Sequence, residues 1–160
     1  MSKQIHLNGL RGSGVYTLVD AEDYEYLNQW SWYLTKKGYV SRTDYSNGRP
    51  GKTIRMHRFI MNTPRGMETD HKNRDKLDNR KENLRICTTT QNQANIPVRR
   101  RNILGVKGVC RQQGKYRASI SVSGKPIHLG HFDTLLEASN AYDDAANIYF
   151  GEFASLNNLA

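Results

Sequence analysis

Asp70-His71-Lys72-Asn73, followed by Asp78-Asn79-Arg80, Asn83-Leu84-Arg85 and Gln91-Asn92, is the stretch that organises this chain. A carboxylate stands beside a histidine, and asparagines return 12 and 21 residues after that histidine. Hard divalent cations take oxygen donors of the carboxylate, amide and water type. A neutral imidazole can remove a proton from water. Adjacent residues on an extended strand point to opposite sides, so a turn or strand end is needed to bring Asp70 and His71 to one cavity. Lys72-Asn73-Arg74-Asp75 and Asp78-Asn79 supply such a loop. Leu84 and Ile86 alternate with Arg85, as on a strand, and Thr88 with Gln91 makes the capping-box pattern that opens a helix near Thr89. The expected layout is strand, loop, strand, helix, with Asn92 on the first turn of that helix.

Upstream, Gly14 to Val19 reads as a strand, and Asp20 is placed to cap a short helix with Tyr24, Leu27 and Trp30 on its inner face. Trp32-Tyr33-Leu34 and Gly38 to Arg42 read as strands around a Lys-Lys-Gly turn. Ile54 to Met61 is a further, mostly apolar element. The aromatic residues here are expected in the core, where they stiffen the site that follows.

Downstream, Ile96 to Leu104 reads as a boundary. Pro97 ends a helix, and Arg99, Arg100 and Arg101 form a basic run suited either to solvent or to a phosphate backbone. Three strands follow, Gly108 to Arg111, Lys115 to Val122 and Lys125 to Gly130, joined at Gln112-Gln113-Gly114 and Ser123-Gly124. Thr134 and Glu137 form a second capping box. Ala138, Ala141, Tyr142, Ala145 and Ile148 then fall at helical spacing before Gly151. Three strands backed by one helix leave a free sheet face, which is expected to carry Lys107, Arg111, Lys115, Arg117 and Lys125.

The 160 residues carry a formal charge of +9. That balance favours a polyanionic partner. In residues 105–160 the five bases all precede the five acids. The chain has no run of 18 apolar residues and no signal-peptide pattern at its start, so it is expected to be soluble and intracellular, with no membrane partner. Cys87 and Cys110 stand alone without a C-x-x-C pair, so neither a structural zinc nor a disulfide is expected.

Several motifs match known families. Met56-His57-Arg58, Asp70-His71-x-Asn73, Leu77-Asp78-Asn79-Arg80, Glu82-Asn83-Leu84-Arg85 and Gln91-Asn92-x-x-Asn95 resemble the HNH (ββα-metal) nucleases, most closely the phage and intron-associated homing endonucleases. Residues 105–160 resemble the APETALA2/ethylene-response-factor DNA-binding domain. That resemblance rests on Lys107-Gly108-Val109, Lys115-Tyr116-Arg117-Ala118, His128 to Asp133, Glu137-Ala138, Ala141 to Ala146 and Phe150-Gly151.

Together they imply an α+β fold. An HNH domain over residues 1–95, with its ββα core about 56–95, and a basic linker over 96–104 would precede a three-stranded antiparallel sheet packed on one helix over 105–160. By resemblance, His71 is the general base and Asn83 hydrogen-bonds its ring and fixes the tautomer. Asp70 and Asn92 bind one Mg²⁺ or Mn²⁺; no small-molecule cofactor is implied. Arg99, Arg100, Arg101, Lys107, Arg111, Lys115, Tyr116, Arg117 and Lys125 are the candidate contacts to double-stranded DNA. His57 is open between a second site histidine, a phosphate contact and a packed residue. Arg80 and Arg85 are open between phosphate contact and ion pairs within the loop.

The implied function is a site-specific DNA endonuclease of the homing type, acting as a monomer on DNA. The rivals are a non-cleaving DNA-binding regulator and a general nuclease of defence or repair. An intact Asp70, His71, Asn83 and Asn92 set argues against the regulator, and a sequence-reading second domain argues against the general nuclease.

Overall fold

The computed structural model describes residues 1–46 and 48–159. The chain forms two compact units, Met1–Thr88 and Thr89–Ala160. Among the described residues no helix is long and apolar enough to cross a membrane.

The first unit opens with an antiparallel hairpin, β1 (Ser2–His6) and β2 (Tyr16–Asp20), followed by α1 (Ala21–Leu27). A three-stranded antiparallel sheet comes next, ordered β3 (Tyr33–Leu34), β4 (Val40–Thr43), β5 (Thr53–Arg55). The apolar run expected over Ile54 to Met61 is split between the end of β5 and the short helix α2 (Met56–Ile60). Then come β6 (Glu68–His71), a single 3-10 turn at Lys81–Asn83, and β7 (Leu84–Cys87), which pairs antiparallel with β6.

The core gathers residues from nearly every element: Ile5, Val19, Leu27, Trp32, Val40 and Met56 are buried together. Trp32 is fully buried, and its indole N–H donates to the Leu27 carbonyl at 2.8 Å, so its one polar atom is satisfied. Trp30 and Phe59 pack against it, Tyr26 lies edge-on to Trp30 and stacked on Phe59, and the Arg42 guanidinium lies 4.5 Å from the Trp30 ring. Asp20 occupies the N-cap position of α1 but its side chain does not cap that helix. Its carboxylate instead accepts the Lys81 N–H at 2.7 Å, while the Lys81 ammonium pairs with Glu22 and Asp23. The expected local cap is thus used as a long-range tie to the segment before β7.

The second unit begins with the short helix α3 (Thr89–Ala94). Residues 96–104 hold no helix or strand. The sheet that follows is ordered β10 (Lys125–Phe132), β9 (Lys115–Val122), β8 (Val109–Gln112), all antiparallel, with α4 (Leu135–Phe150) packed on it. Both connecting turns have two central residues at positive φ, Gln113-Gly114 and Ser123-Gly124. That is the geometry whose twist matches a two-residue hairpin.

The Thr134–Glu137 capping box forms in both directions, at 3.2 and 3.1 Å. Ala138, Tyr142 and Ala145 are buried as the helical spacing predicts. Ile148 is 80% exposed, and Phe150 and Ala146 take the inner face at that end. The small alanines bring α4 close to the sheet. Gly108, at φ +70, is required by that closeness, because a Cβ there would lie 2.0 Å from the Tyr142 ring.

Alternation along β9 settles which side chains face α4. Ala118 and Ile120 are buried, Tyr116 packs against the same core, and Arg117, Ser119 and Ser121 take the other side. Register carries this parity across the sheet: Arg111 pairs with Tyr116, Cys110 with Arg117 and Lys125 with Val122. The expectation that one free face carries all five bases is therefore corrected. Lys115 and Arg117 share the face away from α4. Arg111, Tyr116 and Lys125 have the opposite parity, and the Arg111 guanidinium lies 5.6 Å from the Tyr116 ring. A register shift between His128 and Gly130 adds one residue to β10. It places His128 opposite Ser119 and His131 opposite Arg117, so two histidines three apart join the free face with ring centroids 4.8 Å apart.

Candidate functional site

Asp70 and His71 are the last two residues of β6, both buried. Asp70 stands opposite Arg85 on β7, and the Arg85 guanidinium donates to its Oδ2 from Nε at 3.0 Å and from Nη2 at 2.8 Å. Both side chains are largely buried, so the pairing offsets the cost of taking the carboxylate out of water.

The His71 ring meets a different set of groups. Its Nε2 lies 3.3 Å from Asn79 Oδ1, its centroid 5.0 Å from the His57 ring and 6.4 Å from the Tyr39 ring. Burial lowers the His71 pKa; the Asn79 hydrogen bond and the nearby Asp70, Asp75 and Asp78 carboxylates act the other way. His57, on α2, is only 3% exposed and is held down to about 3 by burial, then by the positive charge of His71 when protonated and of Arg55, Arg58 and Lys76. Both imidazoles are neutral at pH 7. Among the described residues the buried His57 Nδ1 has no hydrogen-bond partner.

The loop between β6 and β7 is built from side-chain hydrogen bonds rather than apolar packing. Asp78 accepts Arg80 Nε at 2.7 Å and Nη2 at 2.8 Å, and Asn73 Nδ2 at 3.0 Å. The Arg80 guanidinium holds the Asp78 carboxyl below its usual range. Arg80 also pairs with Glu82, so Arg80 and Arg85 both enter ion pairs within this region.

Strand β2 clamps the loop from outside. Leu18 N–H donates to Leu77 O and Asn79 N–H to Leu18 O, each at 2.8 Å. The fully buried Thr17 donates its hydroxyl to Leu77 O at 2.7 Å and accepts Asn79 Nδ2 at 2.8 Å. With its amide nitrogen engaged by Thr17 and by Lys76 O at 3.2 Å, Asn79 turns its carbonyl oxygen to the His71 ring. The chain Thr17–Asn79–His71 therefore puts the ring proton on Nε2 and makes Nδ1 the basic nitrogen.

The hydrogen bond to the ring was expected from Asn83, and here the structure corrects the sequence reading. The Asn83 side-chain amide spans the loop, accepting Asn73 N–H at 3.0 Å on Oδ1 and donating from Nδ2 to Asp78 O at 2.8 Å, while the Asn83 backbone carbonyl accepts Lys72 N–H at 2.8 Å. The buried backbone groups of a tight polar loop need partners, and Asn83 supplies them. Its influence on His71 runs through the loop that carries Asn79. Asn79 was legible as a loop residue in Asp78-Asn79-Arg80. Its contact with the ring depends on Thr17, 62 residues away, and nothing in the local motif signals that pairing.

Asn92 lies on α3, half-buried, in the second unit. Arg99, Arg100 and Arg101 are exposed. Lys107 is half-buried, and its ammonium donates to Ala94 O at 2.8 Å, at the C-terminal end of α3 where a cation is favoured. Lys107 is therefore engaged in structure. Lys115 pairs with Asp133 at 3.0 Å on the surface.

Among the described residues no cluster of three or more His, Cys, Asp or Glu side chains could hold a metal ion. Cys87 and Cys110 are free thiols. Burial pushes the Cys87 thiol up to about 11, which makes it a poor thiolate donor. A cation at Asp70 would thus draw its remaining ligands from amide, water and phosphate oxygens. That donor set fits a hard ion such as Mg²⁺, which keeps several waters and needs only one or two carboxylates.

A family model described as HNH endonuclease matches residues 62–94, the segment that runs from the end of α2 through β6, the loop, β7 and α3. A protein of Acanthamoeba polyphaga mimivirus, named "Uncharacterized HNH endonuclease L560", is 30% identical over 155 residues, 93% of this chain and 78% of that protein. With the β-strand pair, the buried histidine and the helix in the order that the motif requires, this chain belongs to the HNH endonuclease family.

Proposed function

We infer from membership of that family that this chain is a nuclease acting on DNA. We propose that this chain is a site-specific endonuclease of the homing type, hydrolysing a phosphodiester bond by a one-metal, histidine general-base mechanism. The observation that carries the proposal is the state of His71: neutral, buried, and held in one tautomer by Thr17 and Asn79 beside an ion-paired Asp70.

His71 Nδ1 takes the proton from the attacking water. Asn79 prevents the ring from presenting a proton there instead. Asn83 and Arg80 keep the loop in shape through Asp78 and Asn73, so the ring is oriented before DNA arrives. Arg85 holds the Asp70 carboxylate in place through two hydrogen bonds. Asp70 and Asn92 are the proposed holders of one Mg²⁺ or Mn²⁺, which when bound supplies positive charge for the phosphate and the leaving 3′ oxygen. The second unit is proposed to be a DNA-binding module of the APETALA2/ethylene-response-factor type, with Arg117 and Lys115 on the sheet face away from α4 and Arg99 to Arg101 on the backbone of double-stranded DNA.

The test is plasmid cleavage. Supercoiled DNA bearing candidate target sequence is incubated with Mg²⁺, with EDTA and with the His71→Ala variant. Loss of the general base should slow cleavage by about 10²- to 10⁴-fold while DNA binding persists. Equal nicking by His71→Ala and the wild type would overturn the assignment of the base. Tight binding without cleavage of any DNA would identify a non-cleaving regulator.

A further inference from the structure

A broad open cleft of about 1090 Å³ lies in the first unit, between the β3–β4–β5 sheet and α2. Four bases line it: Lys36 and Lys37 on the turn after β3, Arg55 at the end of β5 and Arg58 on α2. Among the described residues no acidic side chain lines it. Arg58 is committed to structure, donating to Met67 O at 2.7 Å. Lys36, Lys37 and Arg55 are exposed and, among the described residues, enter no ion pair. Elsewhere in the same unit the cations Lys3, Arg80, Lys81 and Arg85 are all matched by carboxylates. Three exposed bases without a carboxylate partner thus share the cleft.

Tyr39 connects the cleft to the histidines. It lines the cleft, yet its ring is 5.2 Å from the His57 ring and 6.4 Å from the His71 ring. The Arg55 guanidinium lies 5.2 Å from the Tyr39 centroid and the Lys76 ammonium 4.3 Å from it. Lys76 also donates to Lys37 O at 2.8 Å, which pins the basic turn to the loop that carries Asn79. The opposite wall offers Tyr26 and Phe59, stacked with centroids 5.8 Å apart. Bases without acids, next to aromatic surface, suit a sugar–phosphate chain.

On the reading that His71 acts on DNA, we propose that this cleft is a DNA-strand subsite: Lys36, Lys37 and Arg55 hold phosphates neighbouring the one presented to His71, and Tyr39 is the wall shared by subsite and histidines. The cleft sets the path of the cut strand through the first unit.

The experiment uses the full chain in EDTA, so that binding is read without cleavage. Affinity for target duplex is measured against salt for the wild type, for each single alanine variant of the three bases and for Lys36→Ala/Lys37→Ala/Arg55→Ala. Each lost phosphate contact should lower the slope of log affinity against log salt by about 0.9. The charge-conserving triple Lys36→Arg/Lys37→Arg/Arg55→Lys should keep the wild-type slope. So should Lys3→Ala/Arg11→Ala, which removes two charges that lie outside the cleft. With Mg²⁺ restored, the alanine triple should raise KM while cleavage at saturating DNA stays within a few-fold. A wild-type slope in the alanine variants, or an equal loss per charge in the Lys3/Arg11 variant, overturns the subsite. Failure of the nuclease reading would show separately, as unchanged cleavage by His71→Ala with the slope changes intact.

Discussion

The β6–β7 pair with its loop and the β8–β9–β10 sheet are both small antiparallel structures, but they are stabilised by opposite means. In the sheet, apolar side chains are inside: Val109 and Ala118 are buried with Ala138 of α4, and Ile120 is buried on the same strand as Ala118. At the loop, polar side chains are inside: Asp70, His71, Asp78, Asn79 and Asn83 are all buried, and each is tied to another side chain or to the backbone. Burying polar groups costs free energy unless each finds a partner, so an apolar loop of the same shape would fold at least as easily. The polar version is retained where chemistry needs it. The sheet follows rules of packing, and the loop follows rules of hydrogen-bond satisfaction.

That contrast can be broken most forcefully in the sheet. Gly108→Ala sets a methyl group against Tyr142 and the Ser119 carbonyl at a positive φ. Left-handed strain and overpacking together should cost about 2–5 kcal/mol. Trp30 and Trp32, the chain's two tryptophans, both lie in the first unit. The loss should therefore appear as faster amide exchange across β8, β9 and β10, with the tryptophan fluorescence transition unmoved. A shifted fluorescence transition would show that the two units do not answer separately.

The matching test in the loop is Asn79→Leu, similar in size and unable to hydrogen-bond. It leaves Thr17 and the His71 ring without their partner, which should cost about 1–3 kcal/mol in a tryptophan-monitored urea titration. Cleavage should fall more than binding, because the ring loses its fixed tautomer. If stability falls while cleavage persists, Asn79 supports the loop without orienting the ring.

The smallest effect is graded by pH. The His57 pKa is lowered from 6.5 to about 3 in the folded chain, chiefly by burial. The unfolded chain then binds a proton between those values and the folded chain does not. Stability from this group is fully present above pH 6.5 and is lost as pH falls below it, by about 1 kcal/mol per pH unit. Urea midpoints of the first unit at pH 7, 6 and 5 read this loss. His57→Phe should flatten the slope, while the second unit keeps its own dependence.

Much of this was legible in the sequence, and the two regions differ in how. Strand positions, both two-residue turns and the Thr134–Glu137 capping box were readable because each depends on neighbours a few residues away. The strand–loop–strand–helix order around His71 was readable for the same reason. Asp20 misled, since a good N-cap residue was taken up by Lys81 N–H across the fold. Ile148 misled too, since helical spacing does not say where the sheet ends beneath α4.

By itself the sequence determined most of the local elements, the net charge and the presence of His71 beside Asp70, because these follow from local periodicity and composition; the opening strand β1 and the split of Ile54 to Met61 into strand and helix were not legible in it. Only the tertiary structure decided that Asn79 rather than Asn83 meets the ring, since that depends on Thr17 clamping the loop from a strand 62 residues away. It also decided that Tyr116 and Arg111 share the parity of the buried side chains while His128 and His131 join Arg117, because a strand's two faces exchange with every residue and with each bulge. A pattern of residue types specifies which groups are available. The pairing across the chain specifies which of them touch.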